Sequence, residues 1–221
     1  IRMAMGVGAT TIGMDHLEVG IPLAPPRSVV RGIIVNAAGE RFMNEDTYAG
    51  RLGKEFLLRQ DGEVYFVHDD ETFAVNVVGY TPTWVAASAA ELGAEIGLPP
   101  GALEATLDHY NEHAARGEDP DFHKAAEWVR PLVPPYGAVD LRVTKSWYAT
   151  FTLGGLATTP DGEVTSPTGA IVPGLFAAGR TTAGIAGAGY VSGISLGDGT
   201  FFGRRAGRAA ASGGHRTRMG G

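Results

Sequence analysis

The sequence predicts a mixed α+β (α/β) fold, and three features carry that expectation. Short apolar runs bounded by glycine, aspartate and proline recur along the chain, as in residues 31–36 (RGIIVN) and 64–67, and these read as strands. In the middle, residues 83–92 and 101–115 carry apolar side chains three and four apart, the spacing of one helix face. Near the C-terminal end an apolar strand, 175–178, runs through a glycine-dense loop into a helix expected from about Ser195 to Ala211.

Residues 1–11 read as the end of a helix and a small-residue turn. Their Gly6-Val7-Gly8-Ala9 lacks the preceding strand and the third glycine of a dinucleotide fingerprint, so it reads as a structural turn. Residues 14–23 are apolar and strand-like and end near Pro25-Pro26. After RGIIVN comes a turn at Ala38-Gly39, then Arg41-Phe42-Met43-Asn44-Glu45, where Asn44-Glu45 is expected to fix a turn. The strand at 64–67 lies between Asp61-Gly62 and Asp69-Asp70, and an acidic pair suits the start of a helix expected to follow it. Pro99-Pro100 and Gly117 bracket the second middle helix as start and stop signals. Residues 119–135 form a polar, proline-punctuated connection. Residues 141–153 return to strand-like sequence with Trp147, Tyr148 and Phe151. Asp161-Gly162 and residues 167–169 mark hairpin turns, and residues 212–221 read as a tail.

Composition excludes several function classes. The chain has 221 residues and 44% hydrophobic content, enough for a core in one or two domains. A net charge of -6 with no basic patch argues against nucleic-acid binding. There are no cysteines, which removes disulfides, thiolate catalysis and cysteine-held metals. No apolar run approaches ~18 residues, so no transmembrane segment is expected, and the work is expected to be cytoplasmic. His16, His68, His109, His113, His123 and His215 show no metal-ligand spacing and are expected to be solvated, and no metal site is expected.

The glycine-dense stretch is where chemistry is expected. Nine of the 33 glycines fall between Gly179 and Gly207, so bare backbone must approach something closely there. Gly199, Gly203 and Gly207 share one face of the closing helix. The helix start offers unpaired N–H groups and partial positive charge, suited to an anion or an electron-rich ligand edge. Strand, loop and helix start together describe a planar cofactor lying on main chain, with a glycine-rich packing turn as the bland alternative. Arg204, Arg205 and Arg208 read as a solvated face near the C-terminal end of that helix.

Taken in order, GERFMNED, the IGLPPGALEATLDHYNEHAARGEDPDF region, TLGG, and PGLFAAGR with SGISLGDGTFFGRRAGRAAA resemble the flavoproteins of the fumarate reductase and 3-ketosteroid dehydrogenase family. The resemblance runs to about Ala211 and leans to the 3-ketosteroid branch. It implies FAD as cofactor, a domain layout, and a Rossmann-type N-terminal half that is missing here. That layout is the end of a first FAD-domain segment at 1–14, a capping domain at 15–148, the C-terminal FAD-binding segment at 149–211 and a tail at 212–221. The missing half would carry the pyrophosphate fingerprint. It, or an electron-transfer protein, is the expected macromolecular partner.

The resemblance also implies site residues. The Ala-Ala-Gly turn ends in Gly179, and Arg180 stands where these flavoproteins often carry an acidic cofactor ligand. Ser195 and Leu196 match the helix start whose N–H groups face the flavin N1/O2 edge, where positive potential favours the reduced anion. The dicarboxylate-binding side chains of fumarate reductases are replaced. Phe151 stands for one histidine and Tyr190 for an arginine, another histidine is absent near Ile21-Pro22, and Ser28 stands for a relay glutamate although Arg31 is retained. A carboxylate desolvated without these partners would cost roughly several kcal/mol for each one lost.

What remains implies a small apolar ketone, steroid-like or another enone, in a 3-oxosteroid 1-dehydrogenase-like reaction. Tyr190 would donate to the carbonyl and the backbone near Gly193 would add a second donor, stabilising the enolate. The base is expected to be Tyr48 assisted by Arg51, or else Arg51 itself is the proton donor. A free tyrosine titrates near ~10, so Tyr48 needs a cationic neighbour. Packed-aromatic, capping and surface-pair readings stand beside each of these. The competing functions are a reductase of a small unsaturated acid and a non-catalytic fragment.

Overall fold

The computed structural model describes residues 1–21, 29–72 and 81–213. The chain forms two compact units, Ile1–Glu18 with Thr150–Gly221, and Val19–Ala149. The first unit opens with α1 (Arg2–Gly6) and β1 (Thr11–Ile12), and β2 (Leu17–Gly20) leads into the second.

The second unit contains β3 (Ile33–Asn36), α2 (Ala49–Arg59), β4 (Val64–Asp69), β5 (Trp84–Ala86), α3 (Ala89–Ile96), α4 (Ala102–Ala114) and β6 (Tyr136–Asp140). Its strands form one antiparallel sheet in the order β3-β4-β6-β5. Both faces of that sheet are covered, and every residue of β4 is buried, which is why VYFV reads as a continuous apolar run without alternation. On one face Ile33, Val35 and Val67 pack with Leu92 of α3 and Leu103 and Leu107 of α4. On the other, Ile34, Phe66 and Val139 pack with Leu52 and Phe56 of α2.

The chain returns through β7 (Ala149–Thr152), which pairs with β2. The first unit is completed by β8 (Gly155–Leu156), β9 (Glu163–Thr165), β10 (Ile171–Phe176) and α5 (Ile194–Ala211). Here β1 pairs with β8 and β9 with β10, both antiparallel, over a small core of Ala9, Leu156 and Val164. The turn before β9 is pressed onto α5: a Cβ at Gly162 would lie 2.5 Å from Cβ of Ala206. The architecture is therefore mixed α/β with small antiparallel sheets. Among the described residues no helix is long and apolar enough to cross a membrane.

Several sequence expectations are corrected. Residues 83–92 are not one helix: Trp84 and Val85 join the sheet, and α3 starts only after Ser88, whose Oγ accepts from the Glu91 amide while Glu91 Oε2 accepts from the Ala87 amide. The aromatic and β-branched residues at 83–85 favour the strand over the helix periodicity. The strand-like run at 141–153 shrinks to β7, and a central strand that was not expected, β6, follows the connection at 119–135. Helix α2 lies in a stretch where no helix was expected. The strand leading to the glycine loop is 171–176 rather than 175–178. The helix expected after Asp69-Asp70 falls largely outside the described residues, as do Pro22 and Ser28.

Candidate functional site

The start of α5 is built by one glycine. Gly193 caps the helix at φ 91°, a left-handed conformation that glycine adopts without strain. Its carbonyl accepts from the amides of Leu196 and Gly197 at 3.1 and 3.2 Å. Among the described residues the amides of Gly193 and Ser195 donate to no acceptor, so the helix opens with free donors. No heavy atom lies within 4 Å of a Cβ built at Gly187, Gly189, Gly193 or Gly197, and Leu196 is 76% exposed. The backbone here is bare and reachable.

One turn further on, α5 meets the Ala178-Gly179-Arg180 turn at close range. A Cβ at Gly179 would lie 3.6 Å from Cα of Gly199, so the two glycines pack in van der Waals contact. Gly203 and Gly207 meet nothing within 4 Å, so of the expected glycine face only Gly199 packs among the described residues.

Tyr190 is better packed than a residue in a glycine loop is expected to be. Its ring stands edge-on to Phe151, with centroids 5.2 Å apart and planes at 89°. Arg180 lies with its guanidinium 4.9 Å from the centroid of the same Phe151 ring. Phe151 thus braces the phenol and holds the arginine (aromatic pairs contribute about 0.5–1.5 kcal/mol beyond burial).

Asp198 was missed by sequence reasoning. It is 7% exposed, its Oδ1 has no hydrogen-bond partner, and it lines a cavity of about 270 Å³ with Thr158, Ala178, Thr182, Gly184 and Phe202. Burial pushes its carboxyl above the ordinary range against the opposing charge of Arg180. The only sequence signal was an acid among small and apolar residues one turn into a helix.

Tyr48 and Arg51 belong to the second unit, whereas Tyr190, Gly193, Ser195, Leu196, Gly179 and Arg180 belong to the first. Tyr48 is the N-cap of α2 and 38% exposed, and its carbonyl accepts from the amide of Arg51 at 2.8 Å. The Arg51 side chain is on the exposed face of the first turn.

In the same unit Asn44 fixes a turn as expected, its Oδ1 accepting from the Asp46 amide at 2.8 Å, and Glu45 of that turn joins an ion cluster. Arg41 donates to Glu45 and to Asp119 through two nitrogens each, and the buried Lys124 ammonium sits 2.8 Å from Glu45 and donates to the Gly32 carbonyl at 2.7 Å. Burial alone would raise the Glu45 carboxyl, but Lys124 and Arg41 outweigh it and hold it below its ordinary range. One histidine departs from a solvated reading: His68 is buried and stacked on Phe66, whereas His109 stays exposed, with Nε2 2.8 Å from Asp121. Arg205, expected to be solvated, bonds the Pro160 carbonyl and Asp161. Among the described residues no cluster of metal-binding side chains occurs.

Residues 1–196 match the family described as FAD binding domain, and the chain belongs to that family. Its relatives are flavoprotein reductases and dehydrogenases, and FAD is the cofactor. Over 96% of its length the chain is 31% identical to the fumarate reductase (cytochrome) of Shewanella frigidimarina, of which it covers 38%. It is 29% identical, over the same share, to 4-oxocyclohexanecarboxylate 2-dehydrogenase of Sinomonas cyclohexanicum, covering 44% of that protein. Among solved structures it is similar to 3-ketosteroid-Δ4-(5α)-dehydrogenase of Rhodococcus jostii RHA1 in complex with 4-androstene-3,17-dione, at 45% identity and TM-score 0.87, covering 96% of this chain and 44% of that one. The chain thus spans well under half of these relatives.

The residues present fit the flavin end of FAD. The free amide at Ser195 suits an electron-rich ring edge, and the open glycines let a flat ring approach.

Proposed function

We propose that this chain is the greater part of the substrate machinery of an FAD-dependent oxidoreductase acting on the C–C bond α,β to a ketone, with a steroid-like or other apolar enone as substrate. The first unit is then the second half of a Rossmann-type FAD-binding domain and the second unit its capping domain, and the polypeptide carrying the nucleotide fingerprint completes the enzyme. Bound FAD would supply the hydride acceptor for desaturation of the ketone. Everything else falls to the protein's own groups.

The observation that carries the reading is the Tyr190–Phe151 pair beside an open helix start. Positions that would have to be charged for a dicarboxylate carry a ring and a neutral phenol. The Tyr190 hydroxyl donates to the ketone oxygen, and the unpaired Gly193 amide supplies a second donor, so negative charge on that oxygen is stabilised as the α-proton leaves. The α-proton goes to Tyr48, or, in the reverse, reductive direction, Arg51 donates a proton at that carbon. The Ser195 amide at the start of α5 would hold the flavin pyrimidine edge, while the Leu196 amide, expected to share that role, is taken up by the Gly193 carbonyl. Arg180, on the ring of Phe151, keeps the neighbouring turn electropositive.

The experiment is product analysis. The protein at its full natural length, incubated with a saturated 3-ketosteroid and an artificial electron acceptor, should release a product two hydrogens lighter. Its double bond distinguishes the 1(2) from the 4(5) position. Products of unchanged mass across steroids and cyclohexanones would reject the reading.

A further inference from the structure

We propose that Asp198 is a hydrogen-bond acceptor for the hydroxylated ribityl chain of FAD, a contact that rests on the cofactor assignment above. Asp198 is more than nine-tenths buried, and among the described residues its Oδ1 meets no donor, although buried acceptors are almost always paired. It faces a cavity of about 270 Å³ that also presents the hydroxyl-bearing residues Thr158, Thr159 and Thr182. The floor is cleared for it: Gly184 has φ 58°, and a Cβ there would lie 2.9 Å from Asp198 Oδ2. Arg180, the nearby cation, is engaged with the Phe151 ring and forms no ion pair with Asp198 within 4 Å. The acceptor is therefore left for a ligand.

Spacing on α5 says which part of the ligand. Asp198 lies three residues beyond Ser195, about 4.5 Å along the axis at the helical rise. In a flavin the atom bearing the ribityl chain, N10, is two bonds from N1. A helix start at the N1/O2 edge therefore brings an acid one turn onward within reach of the first ribityl hydroxyls. These donate O–H to the carboxylate, and a charged acceptor makes such bonds strong.

The test uses the full-length protein stripped of flavin, titrated with FAD and, separately, with lumiflavin, which has the ring but no ribityl chain. Asp198→Leu should weaken FAD binding about 10- to 100-fold, the effect of losing a hydrogen bond to a charged group. It should leave lumiflavin affinity unchanged, and it should keep or raise the melting temperature of the apoprotein, because an unsatisfied buried carboxyl has gone. Asp198→Asn, which keeps one acceptor, should fall between wild type and Asp198→Leu. Equal FAD affinity in wild type and Asp198→Leu would overturn the proposal while leaving the cofactor site intact. So would an equal loss for lumiflavin, or a lower apoprotein melting temperature that accounts for the weaker binding. Failure of the wild type itself to bind FAD would overturn the cofactor reading and this proposal with it.

Discussion

At the scale of single residues, the proposed chemistry turns on Tyr190 and Phe151. Replacing Tyr190 by Phe removes one donor but keeps the edge-on ring pair, so kcat for ketone desaturation should fall about 100- to 1,000-fold with little change in flavin affinity. Steady-state rates beside a flavin titration check this, and an unchanged kcat would remove Tyr190 from the reaction. The buried cluster of Arg41, Glu45, Asp119 and Lys124 makes a different prediction, about stability. Glu45→Gln leaves cations buried without their partner and should cost about 3–5 kcal/mol in denaturant unfolding. Burial would raise the carboxyls of Glu45, Asp69 and Asp119, but ion pairs and hydrogen bonds outweigh it and depress all three. Groups with depressed folded values stabilise fully above the ordinary carboxylate range, about pH 4, and lose that contribution as pH falls through their folded values. Urea midpoints should therefore be level near neutrality and drop below about pH 4, and a midpoint that holds at pH 3 would contradict the account. Neither the cluster nor Asp198 was legible in the sequence. Arg41 and Asp119 are far apart along the chain, and a lone acid in a helix resembles any solvated one until its burial is known.

Elements were legible where one periodicity ruled. Helix α4 runs Ala102–Ala114 within the expected 101–115, and α5 starts at Ile194 against an expected Ser195, because Gly193 fixes the stop of the loop. Strands β3 and β4 were found from their apolar runs. Helix α2 was not: Gly50 and Gly53 sit inside it, and glycine costs about 1 kcal/mol in a helix interior, so the sequence argues against it locally. Tertiary packing explains the choice, since a Cβ at Gly53 would lie 2.2 Å from the Val19 carbonyl oxygen. Gly53→Ala should therefore destabilise the second unit by about 1–3 kcal/mol despite its better helix propensity, as read by thermal melts of the variant. A stabilised variant would mean that α2 does not pack so closely. The strand at 84–86 misled because apolar spacing over so short a run suits either structure.

At the scale of the whole molecule, the order of the motifs carried more than any one of them. Four weak matches in sequence pointed to a flavoprotein family, and the FAD binding domain match over residues 1–196 agrees. What composition excluded was coarse, and what the resemblance implied about substrate turned on Phe151 and Tyr190, which the first unit brings together. The central claim is that the bound flavin exchanges a hydride with the carbon β to an apolar ketone. It is tested most directly by mixing the oxidised, full-length flavoprotein anaerobically with a saturated 3-ketosteroid and following flavin absorbance. The account predicts bleaching by the steroid and no recovery of the oxidised spectrum on adding fumarate. A flavin that stays oxidised with every saturated ketone, yet when chemically reduced is promptly reoxidised by fumarate, would contradict it.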